Sequence, residues 1–380
     1  MSGRRVLVMP KWYPWPERPV FGIFCREQAR AVAATNDVRV LAFTPEPMSG
    51  LALSRQWEDP AEPVPTLRLI YRRPRLRAAA MATQLAGMRH ALGTLERAGW
   101  RPDVIHAHVF EAGFPAILLA RRLGCPVVVS EHFTAFQRGL VRGADRRVAR
   151  FCFRHADLVC PVSHDLRRQL EAVQPRGRYR VVPNVVDTDV FHPPDVPRPR
   201  IAGRSLRLLN VASLDPKKRH ADLLRALAAV RRGGVDAELE IVGEGDLEDE
   251  LHGLARALDL DGAVRFLGAR SPEQVAERMR ASDAFVLASR FENLPVVLLE
   301  AMASGLPAVA TAVGGVPEVI DEDAGMLVAP GDVDGLAAAI GRLAGGLDRF
   351  DGAALARRAR ERYGMAAVGR VWDDVYDAVS

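Results

Sequence analysis

The sequence lacks any long apolar run. A membrane-spanning helix needs about 20 consecutive, mostly apolar residues, and the closest segment, residues 78–88, is shorter and contains Gln84. The opening stretch, MSGRRVLVMPKWYPW, has no apolar core of the length that a secretory signal needs, and its RRVLVMP is typical of a first buried strand. We therefore expect a cytoplasmic protein.

Paired cysteines and a dinucleotide-binding motif are also missing. The chain has four cysteines, with no CxxC pair and no metal-ligand spacing, so we expect reduced thiols. Dinucleotide binding would need GxGxxG after the first strand. That position holds KWYPWPERPVFGIF, which is too bulky to wrap a pyrophosphate and argues against hydride transfer. No repeat of solenoid length is present either.

Lysine is scarce, although basic residues are not. Of 52 basic residues only three are lysines, Lys11, Lys217 and Lys218, and the last two are adjacent. Residues 1–190 contain 29 basic and 17 acidic residues, a charge of +12, whereas residues 191–380 carry −7. The basic half predicts an acidic partner, either an anionic acceptor or an anionic membrane surface, and not a nucleic acid. The alternative is a solvated arginine face around Arg72, Arg73, Arg75 and Arg77.

Length and patterning indicate two α/β domains. At roughly 100–200 residues per domain, 380 residues suggest two. Short apolar runs alternate with helical patterns, as in doubly wound parallel sheets. The predicted strands of the first series are 6–9, 38–43, 104–106, 127–130, 158–161 and 179–182, and those of the second are 206–211, 238–242, 263–266, 284–288, 308–310 and 326–328. Ligands are expected at the carboxyl ends of these strands and in a cleft between the domains.

The most informative stretch, residues 289–320, reads SRFENLPVVLLEAMASGLPAVATAVGGVPEVI. A strand ends at Ser289, a loop carries Glu292, and a helix is predicted from Val296 with Pro295 at its first position. The N-terminus of such a helix is a ready site for a phosphate. Glu292 lies at that end and Glu300 follows eight residues later. This pattern suits a nucleotide sugar, which has hydroxyls on both sides of a diphosphate.

This stretch resembles the donor-binding signature of family four of the retaining glycosyltransferases, which have the two-domain GT-B fold. Other segments resemble family features in the same order. They are WYPWPERPVFGIF, DVIHAH, VVSEHFT, PNVVDTDVF, VASLDPKKRHADLL, IVGEGDLEDEL with VRFLG, and YGMAAVGRVWDDVYDAV. The resemblance implies an acceptor-binding domain over residues 1–187, a linker over 188–203 and a donor-binding domain over 204–364. The C-terminal helix, 365–380, would cross back to the first domain.

The resemblance also implies the roles of the site residues. Glu300 would hold the donor ribose and Glu292 the hexose. Lys218, with the backbone amides of residues 294–296, would neutralise the departing diphosphate, and His132 would contact the transferred sugar. The other implied donor-binding residues are Gly22, Ser213, Lys217, Gly243, Phe266, Leu267, Gly268, Asn293, Leu294, Pro295 and Val296. The implied acceptor-binding residues are Trp12, Tyr13, His108 and Glu131.

The chain departs from the family pattern at one phosphate contact. Ser213 stands where the family often has an arginine, five residues before the loop lysine, and Lys217, Arg219 or Arg290 could supply the missing charge. Several residues also have simpler interpretations. Trp12 and Tyr13 form a lid over the acceptor or pack the first loop, and His132 is a site residue or a strand-end residue with satisfied hydrogen bonds.

No metal or cofactor is expected. The pair His106 and His108 has no convincing third zinc ligand, and the DxD pattern of Asp187 to Asp189 lies in a proline-rich linker. The predicted function is the retaining transfer of a hexose from a nucleotide sugar, UDP being the commonest base in the family, to a lipid-linked, saccharide or small-molecule acceptor. Envelope polysaccharide synthesis and natural-product glycosylation are both open. An epimerase or hydrolase of nucleotide sugars, and a non-catalytic scaffold, are the alternatives.

Overall fold

The chain divides into two compact units. The computed structural model describes residues 3–18, 20–46, 53–195 and 205–380. One unit comprises Met1–Pro183 with Met365–Ser380, and the other comprises Asn184–Gly364. Residues 184–195, assigned above partly to the first domain and partly to the linker, group with the second unit. The rest of the predicted linker, residues 196–203, lies outside the described residues.

The first unit is built on a seven-stranded sheet. Its strands in chain order are β1 (Arg5–Pro10), β2 (Asp37–Pro45), β3 (Ser54–Asp59), β4 (Thr66–Tyr71), β5 (Val104–His108), β6 (Val127–Glu131) and β7 (Leu158–Pro161). Its helices are α1 (Ile23–Ala33), α2 (Arg77–Arg97), α3 (Phe110–Leu123), α4 (Gly143–His155) and α5 (His164–Val173). The spatial order is β3-β4-β2-β1-β5-β6-β7, and every pair is parallel except β3 with β4.

The edge strands of this sheet differ from the prediction. The antiparallel pair β3 and β4 was not predicted, and the expected strand over residues 179–182 is reduced to a single bridge between Tyr179 and Val159. In β3 the residues are mostly polar and half-exposed, and in β4 the apolar run is interrupted by Arg68. Buried apolar runs therefore identified the central strands but not this edge.

Arg68 is a buried centre of charge in the first unit. Its side chain is 3% exposed and forms ion pairs with Asp59 (2.6 Å) and Glu62 (2.8 Å). The same guanidinium donates to the carbonyl of Pro14 at 2.7 Å and lies 4.5 Å from the ring centroid of Trp15. Arg68 thus ties the loop that follows β1 to the edge of the sheet.

The second unit is built on a six-stranded parallel sheet. Its strands are β8 (Leu206–Val211), β9 (Ala237–Val242), β10 (Val264–Phe266), β11 (Ala284–Leu287), β12 (Ala308–Thr311) and β13 (Gly325–Val328), in the order β10-β9-β8-β11-β12-β13. Its helices are α6 (His220–Arg232), α7 (Glu248–Ala257), α8 (Pro272–Ala281), α9 (Val296–Ala303), α10 (Val333–Gly345) and α11 (Gly352–Tyr363). All six strands lie within a residue or two of their predicted positions.

The last helix, α12 (Met365–Asp377), belongs to the first unit. It packs against α1, and its Trp372 and Tyr376 are fully buried. The phenol of Tyr376 lies 2.7 Å from Nδ1 of His106 on β5. The end of the chain is therefore part of the core of the first unit.

Candidate active site

Two loops meet at the carboxyl edge of the sheet in the second unit. One follows β8 and contains Lys217 and Lys218, and the other follows the neighbouring strand β11 and contains Glu292. The backbone N–H of Arg290 donates to the carbonyl of Lys217 at 2.7 Å and joins the two loops. Because neighbouring parallel strands end at the same edge, motifs that are about 75 residues apart in the sequence come together.

Lys218 and Glu292 form a close, largely buried pair. The distance from Nζ to Oε1 is 2.5 Å, and the two side chains are 14% and 8% exposed. The same carboxylate oxygen accepts a hydrogen bond from Oγ of Ser289 at 2.8 Å. The sequence interpretation did not identify Ser289, whose only signal was a hydroxyl at a strand end. The pair places a cation and a carboxylate within the reach of one ligand.

The pair lies beside the beginning of α9. The helix begins at Val296, as predicted, and Pro295 is its N-cap residue rather than its first helical residue. Asn184 donates to the carbonyl of Leu294 at 2.7 Å, and the carbonyl of Asn293 accepts from Gly315 at 2.7 Å, so the loop before the helix is held from two sides. Pro295 has no N–H and cannot donate to an anion, whereas Leu294 and Val296 on either side of it each carry a backbone N–H.

The basic side chains around this loop differ in whether they are paired with a carboxylate. Asp215 accepts hydrogen bonds from Ser213 Oγ (2.8 Å) and from the backbone N–H of Lys217 (3.0 Å), and it is ion-paired with the Lys217 side chain. Burial raises the pKa of Asp215, but these partners outweigh burial and lower it. Arg219 is paired with Asp222 at 2.6 Å. Arg290 is exposed, with its guanidinium 5.3 Å from the ring centroid of Phe291.

The predicted nucleotide positions lie at the same edge of the sheet. Gly243 follows β9 and forms a bridge with Gly268 after β10, with an N···O distance of 3.0 Å. A β-carbon on Gly243 would lie 1.9 Å from the carbonyl oxygen of Ala212, so only glycine fits there. The ring of Phe266 packs at a tilt against that of His252, with centroids 4.1 Å apart, and the backbone N–H of Leu267 donates to β9. Glu300 is half-buried on α9.

In the first unit, the predicted residues gather at the carboxyl ends of β1, β5 and β6. Nε2 of His132 lies 3.2 Å from Nδ1 of His108. The ring of Phe24 is 4.7 Å from that of His132 and 6.2 Å from that of Trp12, and Phe133 is 5.1 Å from Trp12. Phe24 and Phe133 were not predicted, although each is within two residues of a predicted position. Trp12 and His132 remain partly exposed.

Three predicted acceptor residues are buried. Tyr13 is 2% exposed, and His108 and Glu131 are each 0% exposed. The Tyr13 hydroxyl lies within hydrogen-bond distance of Glu62 and Thr66, and burial raises its pKa. Direct contact with an acceptor therefore does not fit these residues. Tyr13 instead packs the first loop, which was one of its two interpretations.

Glu131 organises the loop that carries His132. Its carboxylate accepts the backbone N–H groups of Phe110 (3.0 Å), His132 (2.9 Å) and Phe133 (3.0 Å). Burial raises the pKa of Glu131 to about 7, against the effect of these three donors. The same carboxylate also caps the first residue of α3. Glu131 is thus an internal support for His132.

Gly22 is required by contacts within the first unit itself. Its φ is +73°, and a β-carbon would lie 2.4 Å from the carbonyl carbon of Trp12. The clash that excludes a side chain is therefore with the backbone of Trp12, whereas the resemblance implied Gly22 only as a donor-binding residue. Gly22 fixes the position of Trp12 relative to α1.

Replacing Gly22 with alanine should destabilise the first unit by about 2–4 kcal/mol, since left-handed strain and a backbone clash add together. Gly99→Ala is the matched control. Gly99 has a φ of +77°, but an added β-carbon would have no described atom within 4 Å, so only about 1 kcal/mol of strain is expected. Urea unfolding measures both variants, and equal losses would contradict the clash.

The metal alternatives do not gain support from the geometry. Among the described residues, no group of three or more histidine, cysteine, aspartate or glutamate side chains could hold a metal ion. Asp187 accepts the backbone N–H of Asp189 at 3.1 Å in a local turn. Both ring nitrogens of His106 are engaged, by Tyr376 and Ser130. Within the described part of the chain, no helix is long and apolar enough to cross a membrane.

Comparison with known proteins agrees with this arrangement. The family profile described as "Glycosyl transferase 4-like domain" matches residues 22–185, and the profile "Glycosyl transferases group 1" matches residues 195–345. Glycogen synthase from Mycobacterium tuberculosis is 36% identical over 270 residues, which are 69% of this chain and 63% of that protein. The match therefore spans less than two thirds of the relative's length.

Solved structures share the fold. Sucrose-phosphate synthase from Thermosynechococcus elongatus has a TM-score of 0.77 at 20% identity, and the match covers 98% of each chain. HepE from Anabaena, in complex with UDP and glucose, has a TM-score of 0.75 at 18% identity, with 99% of this chain and 100% of that chain covered. The two parallel-sheet units are therefore those of the GT-B glycosyltransferase class. Within that class, the chain belongs to family four of the glycosyltransferases.

Proposed function

We propose that this protein transfers a hexose from a nucleoside diphosphate sugar to an acceptor hydroxyl, with retention of the anomeric configuration. The observation that carries this proposal is the pair of Lys218 and Glu292 at the N-terminus of α9. A cation, a helix N-terminus and a carboxylate suit a diphosphate next to a sugar. An exposed ion pair with no helix end nearby would not support this function.

Each group of the donor has a proposed partner. Lys218 and the backbone amides of Leu294 and Val296 neutralise the diphosphate, Glu292 holds the hexose hydroxyls, and Glu300 holds the ribose. His132, in the first unit, contacts the transferred sugar. In the retaining reaction of this family the acceptor enters on the face that the diphosphate leaves, and a phosphate oxygen takes its proton. The contribution of the protein is then positioning and charge stabilisation.

Arg290 supplies the positive charge for the phosphates that Ser213, standing in place of the family's arginine, cannot supply. Of the three cations considered for this role, Lys217 is paired with Asp215 and Arg219 with Asp222. Arg290 is exposed, and its backbone N–H donates a hydrogen bond to Lys217 in the loop that follows β8. A planar guanidinium at the mouth of this loop can bind a phosphate with two parallel hydrogen bonds.

UDP-glucose is the first donor to test, because HepE has been solved with UDP and with UDP-glucose. We expect one member of a panel of UDP-, ADP-, GDP- and TDP-sugars to bind clearly more tightly than the others in calorimetry. Glu300→Gln should weaken binding of that donor by a factor of about 10 to 150, since the loss of a charged hydrogen bond amounts to about 1.5–3 kcal/mol. A protein that binds no member of the panel would contradict the proposal and favour a scaffold.

The acceptor is proposed to be a lipid-linked or acidic saccharide at the inner membrane face, as in envelope polysaccharide synthesis. The support is the charge of +12 on residues 1–190, together with exposed arginines such as Arg73 and Arg75 after β4. Release of nucleoside diphosphate should require the acceptor. Donor conversion without any acceptor would instead indicate an epimerase or a hydrolase, and selective use of neutral aglycones would indicate natural-product glycosylation.

The reaction is proposed to need no metal ion, since Lys218, Arg290 and the helix N-terminus provide the positive charge that a cation would otherwise supply. Turnover should be unchanged in excess chelator. We would abandon metal independence if chelation abolished turnover and magnesium or manganese restored it.

A further inference from the structure

One edge of the first unit exposes most of its large apolar side chains. Among the described residues of this unit, six such side chains are exposed, and only Trp57 lies within a strand. The other five, with their exposed fractions, are Val20 (55%), Phe21 (42%), Leu53 (56%), Leu76 (76%) and Leu140 (52%). Four of these lie in loops that follow β1, β4 and β6, and Leu53 precedes the antiparallel strand β3. All five therefore lie at the carboxyl edge of the sheet.

The loops at this carboxyl edge are also basic. Their described residues include seven basic and two acidic ones, which are Lys11, Arg18, Arg72, Arg73, Arg75, Arg138 and Arg142 against Glu17 and Glu46. The described loops at the opposite edge contain two basic and three acidic residues, which are Arg4 and Arg101 against Glu62, Asp103 and Asp157. Arg73 and Arg75 are exposed and form no ion pair with another described residue. Apolar and positively charged side chains thus share one edge of the sheet.

This edge flanks the candidate acceptor residues on both sides. The loop after β1, which carries Trp12, lies in the middle of the sheet order, with β4 on one side and β6 on the other. On the β6 side, Leu140 belongs to the loop that begins at His132. On the β4 side, the backbone N–H of Arg72 donates to the carbonyl of Leu53 at 2.9 Å, which joins two of the loops. A surface that bound this edge would therefore adjoin Trp12 and His132.

An anionic bilayer offers a partner for both kinds of side chain. Its surface attracts arginines, each of which strengthens binding about 5-fold. Apolar side chains that protrude between the arginines can enter the boundary between headgroups and acyl chains. A nucleic acid would bind the arginines but offers no apolar layer for the leucines.

We propose that the carboxyl edge of the first unit docks on an anionic phospholipid bilayer. Leu76 and Leu140 enter the boundary below the headgroups. The arginines that bind the headgroups are Arg73, Arg75 and Arg142. The inference rests on the proposed function, because a lipid-linked acceptor is held at such a surface, and it goes further by assigning the side chains that meet the bilayer. Docking in this orientation presents the candidate acceptor residues to a saccharide whose lipid stays in the membrane.

Sedimentation with vesicles tests the docking without donor or acceptor. We expect the full chain to bind phosphatidylcholine vesicles that contain about 30% phosphatidylglycerol, and to bind pure phosphatidylcholine at least about 10-fold more weakly. Raising the salt concentration from about 0.1 to 0.5 M should release much of the bound protein. Absence of binding to the anionic vesicles, or equal binding to both kinds, would overturn the proposal. Because neither substrate is present, this result is independent of whether the proposed transfer occurs.

Two double variants separate this edge from the charge of the whole unit. Arg73→Gln with Arg75→Gln should weaken binding to the anionic vesicles about 30-fold. Arg121→Gln with Arg122→Gln is the matched control, since these exposed residues lie at the end of α3, at the opposite edge of the sheet. Binding by the control should stay within about 2-fold of the wild type. Equal losses in the two double variants would mean that net charge alone drives binding, and would overturn the assignment of this edge.

A third double variant tests the apolar contact. Leu76→Ser with Leu140→Ser keeps every charge and should weaken binding to the anionic vesicles about 10-fold. Unaltered binding would contradict the insertion of these side chains. Sedimentation velocity of the protein without vesicles checks the other occupant. A wild-type dimer that this variant dissociates would assign the edge to a second copy of the chain and overturn the docking on a bilayer.

Discussion

Replacing Lys218 with methionine is expected to lower kcat/KM by a factor of about 100–1000, with most of the loss in kcat. Removal of one preorganised group that stabilises developing charge typically has this effect. In the proposed transfer the charge develops on the leaving diphosphate, so the loss should fall on the transition state more than on the bound donor. The substitution also leaves the carboxylate of Glu292, 8% exposed, without its cation beside the proposed phosphate site.

The matched control is Arg231→Met. Arg231 forms an exposed ion pair with Asp236 in the same unit, at 3.1 Å and with side chains 36% and 65% exposed. Exposed pairs of this kind contribute little, and the pair belongs to no proposed site, so turnover should be unchanged. If both variants turned over like the wild type, Lys218 would have no part in the reaction.

Lys218→Arg tests whether the scarcity of lysine has a structural reason. Oε1 of Glu292 already accepts hydrogen bonds from Lys218 Nζ at 2.5 Å and from Ser289 Oγ at 2.8 Å, and the surrounding space is largely buried. A guanidinium is wider and more rigid than an ammonium group and cannot occupy the same position without displacing Ser289 or Glu292. We expect a loss of about 10-fold in kcat/KM. Full activity in this variant would mean that the choice of lysine is accidental.

The fold was largely predictable from the sequence because its central strands are buried on both faces. A strand such as β11 reads as an uninterrupted apolar run. The antiparallel edge was not predictable in this way. Strand β3 alternates exposed and half-buried polar residues, and β4 contains Arg68, whose burial depends on carboxylates elsewhere in the chain. Such strands are recognised only when their partners are known.

The candidate site shows the same limit. A pair such as Lys218 and Glu292 could be proposed from two separate motifs, because adjacent parallel strands bring their carboxyl ends together. The sequence did not allow us to predict which side chains of the site are buried. Glu131 and His132 are neighbours in the sequence, yet Glu131 turns inward to bind three backbone N–H groups while His132 stays partly exposed. A strand end alone does not determine which of two consecutive side chains points towards a ligand.

Replacing Arg68 with methionine is expected to destabilise the first unit by about 3–5 kcal/mol at pH 7. Methionine fills much of the space, but Asp59 and Glu62, with side chains 15% and 8% exposed, are left close together without a cation. The hydrogen bond to Pro14 is also lost, so the loop that carries Trp12 loosens. Thermal unfolding should show the midpoint of this unit lowered by about 10 °C.

Arg55→Met is the control for Arg68. Arg55 lies on β3, is exposed and has its guanidinium 5.8 Å from the ring centroid of Trp57. Its replacement removes one positive charge from the same edge of the sheet but leaves no buried carboxylate without a cation. We expect a change within about 0.5 kcal/mol. A comparable loss in both variants would mean that net charge, rather than the buried ion pairs, stabilises this edge.

The loss caused by Arg68→Met should depend on pH in a definite direction. Burial raises the pKa of Asp59, but the hydrogen bond and charge of Arg68, with the backbone of Ala61, outweigh burial and lower it. A lowered carboxyl pKa stabilises the fold at pH values above the unfolded-state pKa, near 4, and this contribution disappears as the pH falls through the folded-state pKa.

Without Arg68, burial dominates, so the folded variant binds protons at a higher pH than the wild type. The difference in melting temperature between the two proteins should therefore be largest near pH 7 and should shrink as the pH approaches about 4. A difference that stays constant over this range would show that Arg68 acts through packing and its bond to Pro14, and not through the carboxylates.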